Sequence, residues 1–467
     1  MTHSRIAVAA LLLLASTGAS AQIPTEVDLG RAAADGITLL QELIRLDTSN
    51  PPGNETLVAE HLQALFAREG IGSRIVALEP ARGNLIARLE GNGAKRPLLL
   101  MAHSDVVGVD REKWSVDPFA GVIEDGYLYG RGAIDDKGMM SVLVQVMLLI
   151  HRLELPLERD LILLVEAGEE GSTSVGIDYV IEHHWDEIAS EFALNEGGGI
   201  RKSGDHVSVV AVATTEKVPL RGIRLIARGT AGHGSMPRPD NPIVRLATAV
   251  AKLGQWQPPM RLNTTTRAYF SRLAAISSEK DAFLYRNLED PALTEMIQEK
   301  LRLTDILANS TLRTSISPNM ISGGFRVNVI PAQAEVVLDV RALPDEDPAE
   351  LVAALVDLID DPLIEVTQPT SSRPSGPPSS LDSEMFRALE KAQATLFPHA
   401  ITLPTMLTAA TDSAQLRARG VQAYGVGAVV SEADMRAHGN DERISIEGFA
   451  QFLEYVLLAV VDVAVAE

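Results

Sequence analysis

The sequence predicts an α/β fold in which a smaller domain of β-α-β-β-α-β order interrupts a larger one. Three observations carry that reading. Short apolar runs alternate with helix-periodic segments as far as residue 216, the pattern of a sheet flanked by helices. Between 217 and 368 the order changes to the split βαβ, ferredoxin-like plan with a long insertion. From 369 to 467 the α/β alternation resumes. At 467 residues, 46% of them hydrophobic, the chain can core two or three domains.

Residues 1–21 stand apart. His3 and Arg5 precede an apolar run over 6–14, and Ala19-Ser20-Ala21 has the small-x-small form of a signal peptidase site. The run is too short to cross a bilayer. The expectation is a signal peptide, a mature chain from near Gln22, and a periplasmic or secreted protein. Residues 22–216 then form the first part of the larger domain. Helical periodicity over 28–70 is broken by Asp47-Thr48-Ser49-Asn50-Pro51-Pro52-Gly53. Strand-like runs follow at 75–78, 84–89, 97–101, 160–165, 192–194 and 207–213. The apolar run 139–150 reads as a buried helix.

In the inserted domain, 217–368, an alternating strand over 219–227 precedes a helix over 242–253. A polar, less regular stretch covers 263–311. Strands at 320–328 and 334–340, a helix at 348–359 and a strand at 364–366 complete the unit. The Pro- and Ser-rich stretch 367–380 reads as a linker. Helices at 383–395, 412–418 and 446–461, with a strand at 421–426, make up the second part of the larger domain.

Composition excludes several chemistries. With no cysteine there are no disulfides, thiolate ligands or thiol nucleophiles, and no lipid anchor on cysteine. Any metal must be held by His, Asp and Glu. A formal charge of −21 argues against nucleic acid, which needs a basic face. No segment after the leader has the apolar length of a membrane span, so no anchor is expected after cleavage.

The polar residues just beyond the strands of the larger domain form one set. His103 and Asp105 follow an apolar strand and, two apart on extended chain, point to one side. Asp135 lies in the glycine-bounded loop 130–138, ahead of the apolar helix. Glu169 and Glu170 follow Leu161-Ile162-Leu163-Leu164-Val165, Glu196 follows Phe192-Ala193-Leu194, and His438 follows the strand ending at Val426. In an α/β sheet that edge is where sites assemble. Singly each residue has a plain explanation: a solvated histidine, a helix-start acid, a turn. Together, two imidazoles and at least three carboxylates without thiols suit divalent ions, zinc first. Charge favours two ions, because three carboxylates and a hydroxide balance four positive charges. Asp135, with two oxygens, can bridge them.

These stretches resemble the di-zinc peptidase and aminoacylase family that includes carboxypeptidase G, aminoacylase, carnosinase and succinyl-diaminopimelate desuccinylase. The matching segments are Met101-Ala102-His103-Ser104-Asp105, 130–138, Gly168-Glu169-Glu170-Gly171-Ser172, Asn195-Glu196-Gly197, Gly232-His233-Gly234-Ser235, Asn328-Val329-Ile330-Pro331 with Asp339-Val340-Arg341, and 438–443. The carboxypeptidase S branch, which includes secreted enzymes acting on N-fatty-acyl amino acids, is the nearest in flavour.

The resemblance implies a zinc-peptidase-like catalytic domain (22–216 and 369–467) with an inserted lid and dimerisation domain. It implies two Zn2+ per subunit, with Co2+ or Mn2+ as substitutes. His103 and Glu196 would hold one ion, Glu170 and His438 the other, with Asp135 bridging and a cis peptide between Asp135 and Asp136. Asp105 would orient His103, and Glu169 would be the general base. In a homodimer, His233 would reach the partner's active site and stabilise the oxyanion. Asn328 and Arg341 would grip the substrate's free carboxylate.

The implied activity is amide hydrolysis that releases an amino acid, of carboxypeptidase or dipeptidase type. A small peptide or an N-acyl amino acid would be the substrate. One alternative is an N-acyl, including fatty-acyl, amino acid amidohydrolase. A more distant one is a non-catalytic metal-binding dimerisation protein.

Overall fold

A computed structural model of the chain describes residues 28–204 and 206–466; the expected leader over 1–21 lies outside them. The central sheet has ten strands. At its middle, Leu98–His103 lies parallel to both Leu161–Glu166 and Phe192–Asn195, and Gln422–Gly425 continues parallel beside the latter. Their carboxyl ends therefore share one edge. His103 pairs with Glu166 there, and Gly425 with Asn195.

Strand residues alternate between two cores, as a sheet covered on both faces requires. Leu98, Leu100, Leu161 and Leu163 join the larger core, whereas Leu99, Met101, Ile162 and Leu164 join the smaller one. Helix Lys137–Arg152 is buried from Lys137 to Ile150. It packs between the sheet and helices Leu29–Arg45 and Ile446–Ala464, whose apolar faces complete the larger core. That arrangement fixes the 130–138 loop at the sheet edge.

Residues Val218–Ser372 carry a separate six-stranded sheet with its own core. Strands Ile364–Val366, Arg224–Arg228, Gln333–Ala342 and Ser315–Gly323 lie side by side, all antiparallel, the fourth-first-third-second order of the expected ferredoxin-like plan. Helices Pro242–Gln255 and Pro348–Ile359 pack on it. The expected strand over 219–227 is broken in two at Gly222, whose φ of +87° and close approach to Thr370 interrupt the ladder.

Elsewhere the structure differs from the sequence reading. The stretch 263–311 is regular after all: helices Thr264–Ile276, Glu279–Arg286, Thr294–Thr304 and Ile306–Thr311 enclose a small core around Phe270, Leu284, Ile297 and Leu301. Their apolar residues are sparse, so periodicity is faint. Their N-caps are not: Asn263 forms a capping box with Thr266, and Ser278 and Asp305 cap the second and fourth helices. Strands Gly199–Ser203 and Ile401–Leu407 also escaped the reading. The second strand of the inserted sheet runs over Ser315–Gly323, earlier than the 320–328 expected.

Candidate metal centre

Loop 130–138 places Asp135 by tight backbone geometry. Gly132 has φ +88°, and a Cβ at Gly138 would lie 2.1 Å from the Ala133 carbonyl oxygen, so neither position accepts a side chain without rearrangement. The Asp135–Asp136 peptide is cis, as the resemblance implies.

Glu442 holds this loop from below. Its buried carboxylate accepts hydrogen bonds from the amides of Gly132, Ile134 and Asp135 at 3.1, 2.8 and 3.1 Å, and from Arg131 at 2.6 Å. Arg131 also donates to the His438 carbonyl at 3.3 Å. One acid thus ties the Asp135 loop to the segment that bears His438.

The two oxygens of Asp135 face two different imidazoles. Oδ1 lies 2.9 Å from His103 Nε2, and Oδ2 lies 3.1 Å from His438 Nε2. His438 Nε2 is also 2.8 Å from Glu170 Oε1. Ligand atoms of His103, Asp135 and Glu170 lie within 4.8 Å of one another, as do those of His103, Glu169 and Glu196. The structure therefore brings together all five expected ligands and the expected base.

The donor set fits cations. His103 Nδ1 donates to the Asp105 carbonyl at 2.9 Å, so a neutral ring turns the lone pair of Nε2 toward an Asp135 oxygen. Two acceptors at 2.9 Å are reconciled only by a proton or a metal between them. Burial opposes charge on His103, but hydrogen bonds to Asp105 and Asp135 outweigh it and raise its pKa. Hydrogen bonds to Asp135 and Glu170 push His438 up to about 10. Glu196 is pushed well above the carboxylate range by burial and by repulsion from Asp135 and Glu169. Among the described residues, Asp136 Oδ2 is buried without a partner. Excess buried negative charge of this kind is what a divalent ion neutralises.

Asp105 does more than the reading assigned it. Its carboxylate is 3.5 Å from His103 Nδ1, and it accepts from the amides of Glu169 and Glu170 at 3.1 Å each and from Asn50 at 2.8 Å. It therefore sets the Glu169-Glu170 turn as well as His103. Glu169 has its pKa raised by burial, partly offset by His103 and Arg373. Arg373 lies in the stretch read as a linker, yet it donates to Glu169 at 2.8 Å and to Asp412 at 2.6 Å. Burial and the Glu169 charge push Asp412 up to about 8.

His233, Asn328 and Arg341 stand elsewhere. His233 pairs with Val329 across a short two-stranded ladder, which sets it beside Asn328; both are exposed. His233 Nδ1 accepts from the Ser235 hydroxyl at 2.7 Å, and Arg341 is ion-paired with Asp339 at 2.9 Å. Among the described residues, none of the three bonds to the metal cluster.

Residues 99–462 match the profile of Peptidase family M20/M25/M40. A probable carboxypeptidase S-like 2 protein of Dictyostelium discoideum is 30% identical over 371 residues, 77% of this chain and 70% of its own length. The N-fatty-acyl-amino acid synthase/hydrolase PM20D1 of Homo sapiens is 27% identical over 370 residues, 77% and 73% of the two chains. In fold, the chain is similar to the M20 family metallo-carboxypeptidase Sso-CP2 from Sulfolobus solfataricus (TM-score 0.63, 18% identity, 92% of this chain and 99% of that one). It is also similar to human carnosine dipeptidase 1 (TM-score 0.61, 16% identity, 93% and 98%). With a profile match over most of the chain and the donor cluster at the sheet edge, the protein is a member of peptidase family M20/M25/M40, a metal-dependent hydrolase acting on amide bonds.

Proposed function

We propose that this enzyme is exported and hydrolyses the amide of a small peptide or N-acyl amino acid, releasing an amino acid with a free carboxylate. The observation that carries the reading is the division of Asp135 between two imidazoles, with Glu170 beside one and Glu196 near the other. His103 and Glu196 would hold one divalent ion, Glu170 and His438 a second, and Asp135 would bridge; the thiol-free set suits zinc. Bound there, the ions supply Lewis acidity, which makes water nucleophilic at neutral pH and polarises a carbonyl.

Glu169 takes a proton from the attacking water at its carboxylate. The water oxygen bonds to the carbonyl carbon, the carbon–nitrogen bond breaks, and Glu169 returns the proton to the leaving nitrogen. Arg373 steadies the Glu169 carboxylate, and Asp105 fixes the backbone beneath it.

Asn328 and Arg341 would bind the product-side carboxylate, and His233 would serve the partner subunit of a homodimer. The inserted sheet supports that pairing. Its edge strand Ser315–Gly323 exposes Met320 and Ile321, and Val244, Phe325 and Val327 are exposed nearby. Open edges and apolar patches of this kind suit a second copy.

Glu169→Gln tests the reading. It should retain both ions and lower kcat by about 10²–10⁴. Normal turnover with both ions bound would remove Glu169 from the mechanism.

A further inference from the structure

The chain crosses between the two sheets twice, and both crossings dock on one segment of the larger domain, 411–417. The first runs from strand His206–Glu216 through Lys217 into strand Val218–Arg221. Buried Glu216 anchors it, accepting from the Thr411 amide at 2.7 Å and from Arg417 at 2.8 Å. The second leaves the inserted sheet at Ser371–Ser372, which pairs antiparallel with Leu220 and Arg221, and continues directly into Arg373. Further on, the Ser379 amide donates to the Thr214 carbonyl at 2.8 Å and ties the second crossing to the first.

Arg373 uses the two arms of its guanidinium differently. Nη1 donates to Asp412 Oδ1 at 2.6 Å, whereas Nη2 donates to Glu169 Oε1 at 2.8 Å and to the Glu169 carbonyl at 3.4 Å. An ion pair that only clamped two domains would need one buried carboxylate, and Asp412 supplies it. The second arm goes to the base. Ser372, just before Arg373, lies opposite Leu220, which in turn lies opposite Val340. Leu220 and Val340 belong to the close-packed core of the inserted sheet, so the row moves as one body. Its outer strands run in the same direction, because each is antiparallel to the middle one. Arg341 and Arg373 therefore stand side by side one residue beyond the row, about 10 Å or two strand spacings apart. In that register Arg373 is level with Pro219, three residues from the Glu216 anchor. Over that distance of about 10 Å a rotation of about 10° moves Arg373 by about 2 Å, enough to break its hydrogen bond to Glu169.

We infer that Arg373 is a positioning residue that makes the general base depend on the seat of the inserted domain, so that a substrate carboxylate held by Arg341 of the same chain orients Glu169. The inference rests on the amide-hydrolase reading, with Glu169 as base and Arg341 as carboxylate grip, and adds a mechanical link between the two. With its amide at the metal edge and its carboxylate on Arg341, a substrate spans both domains and holds the row at one distance from the base. A guanidinium fork engages carboxylates in one planar geometry, which makes it sensitive to that distance. A substrate without the carboxylate leaves the row free, and Glu169 loses its fixed partner. Binding at the remote carboxylate is then expressed in kcat as well as in KM.

The test uses the full-length, metal-loaded enzyme with an N-acetyl amino acid and the matching N-acetyl amino acid amide, whose carboxylate is replaced by a carboxamide; released acetate reports turnover. In the wild type, kcat for the acid should exceed kcat for the amide at least about tenfold. Two variants should each bring that kcat ratio to within about twofold of unity while KM still favours the acid. Arg373→Lys keeps the charge but not the fork. Insertion of one glycine between Ser372 and Arg373 keeps the arginine and adds about 3.5 Å of slack. A purely structural ion pair would lower kcat for both substrates alike and leave the ratio unmoved. Metal content and circular dichroism identify a variant that failed to fold, and the other variant then decides. Equal kcat for the two substrates in the wild type, or a ratio unmoved in the folded variants, would overturn the coupling and leave amide hydrolysis standing. Absence of hydrolysis for the acid, the amide and a dipeptide would instead overturn amide hydrolysis.

Discussion

The metal edge of the central sheet and the exposed polar residues of the segment 218–372 are built in opposite ways. At the metal edge, the five expected ligands and the expected base converge from strand ends and loops, held by buried acids: Asp105 under the Glu169-Glu170 turn and Glu442 under the Asp135 loop. In the segment 218–372, His233 and Asn328 at the short two-stranded ladder and Arg341 on the larger sheet are solvated or half-solvated and engage only near neighbours. The expected ligands lie together within one chain. His233, Asn328 and Arg341 make no hydrogen bond to that cluster among the described residues, and the proposed homodimer is what would bring them to it.

The comparison can be broken most forcefully at a ligand. Glu170→Gln should weaken metal binding and lower activity by more than the roughly 10–100-fold that losing an outer partner brings; metal analysis with a kcat measurement checks both. On the other side, His233→Ala should lower kcat by about 10²–10³ with the metals retained, as expected for loss of an oxyanion donor. Mixing His233→Ala with Glu169→Gln chains then sharpens the contrast. Each heterodimer would own one intact site, so activity should return to about one quarter of wild type after subunit exchange. No recovery would place His233 at its own chain's centre.

A smaller effect is expected beneath the loop. Glu442→Gln keeps the shape but weakens the acceptor for three amides and Arg131, and should lower metal affinity or activity by about 10–100-fold.

The smallest lies at the junction of the two sheets, where buried Lys217 donates to Ser310 and Ser315. Burial, then Arg313 and Arg341, lower its pKa from 10.5 to about 7. Between those values the unfolded chain binds more protons than the folded one, so stability rises with pH across that window. Lys217→Met should flatten the rise in urea unfolding at several pH values. An unchanged slope would show that Lys217 keeps its proton.

The same contrast governs what could be read in advance. His103 closes an apolar strand and Asp105, Glu169, Glu170 and Glu196 come within a few residues of a strand's end, so strand order alone lines them up at one edge. Arg373 gave no local signal: it sits among prolines and serines, and its partners Glu169 and Asp412 are distant in sequence. Glu442 was visible as part of a motif, but its task depends on amides contributed by another loop. The helices over 264–311 were hidden by low hydropathy, although Asn263 with Thr266, and Asp305, mark their starts. Local chemistry was legible where one strand positions one side chain. It was not where the position arises from long-range packing.

The most direct test of the two-ion centre is metal stoichiometry in Asp135→Asn measured beside Asp136→Asn. Asp135 shares its two oxygens between His103 and His438, whereas Asp136 is buried with an oxygen that has no partner among the described residues. Asp135→Asn should lose both ions, and Asp136→Asn should keep both at reduced activity. Equal metal loss in the two variants would contradict the bridge.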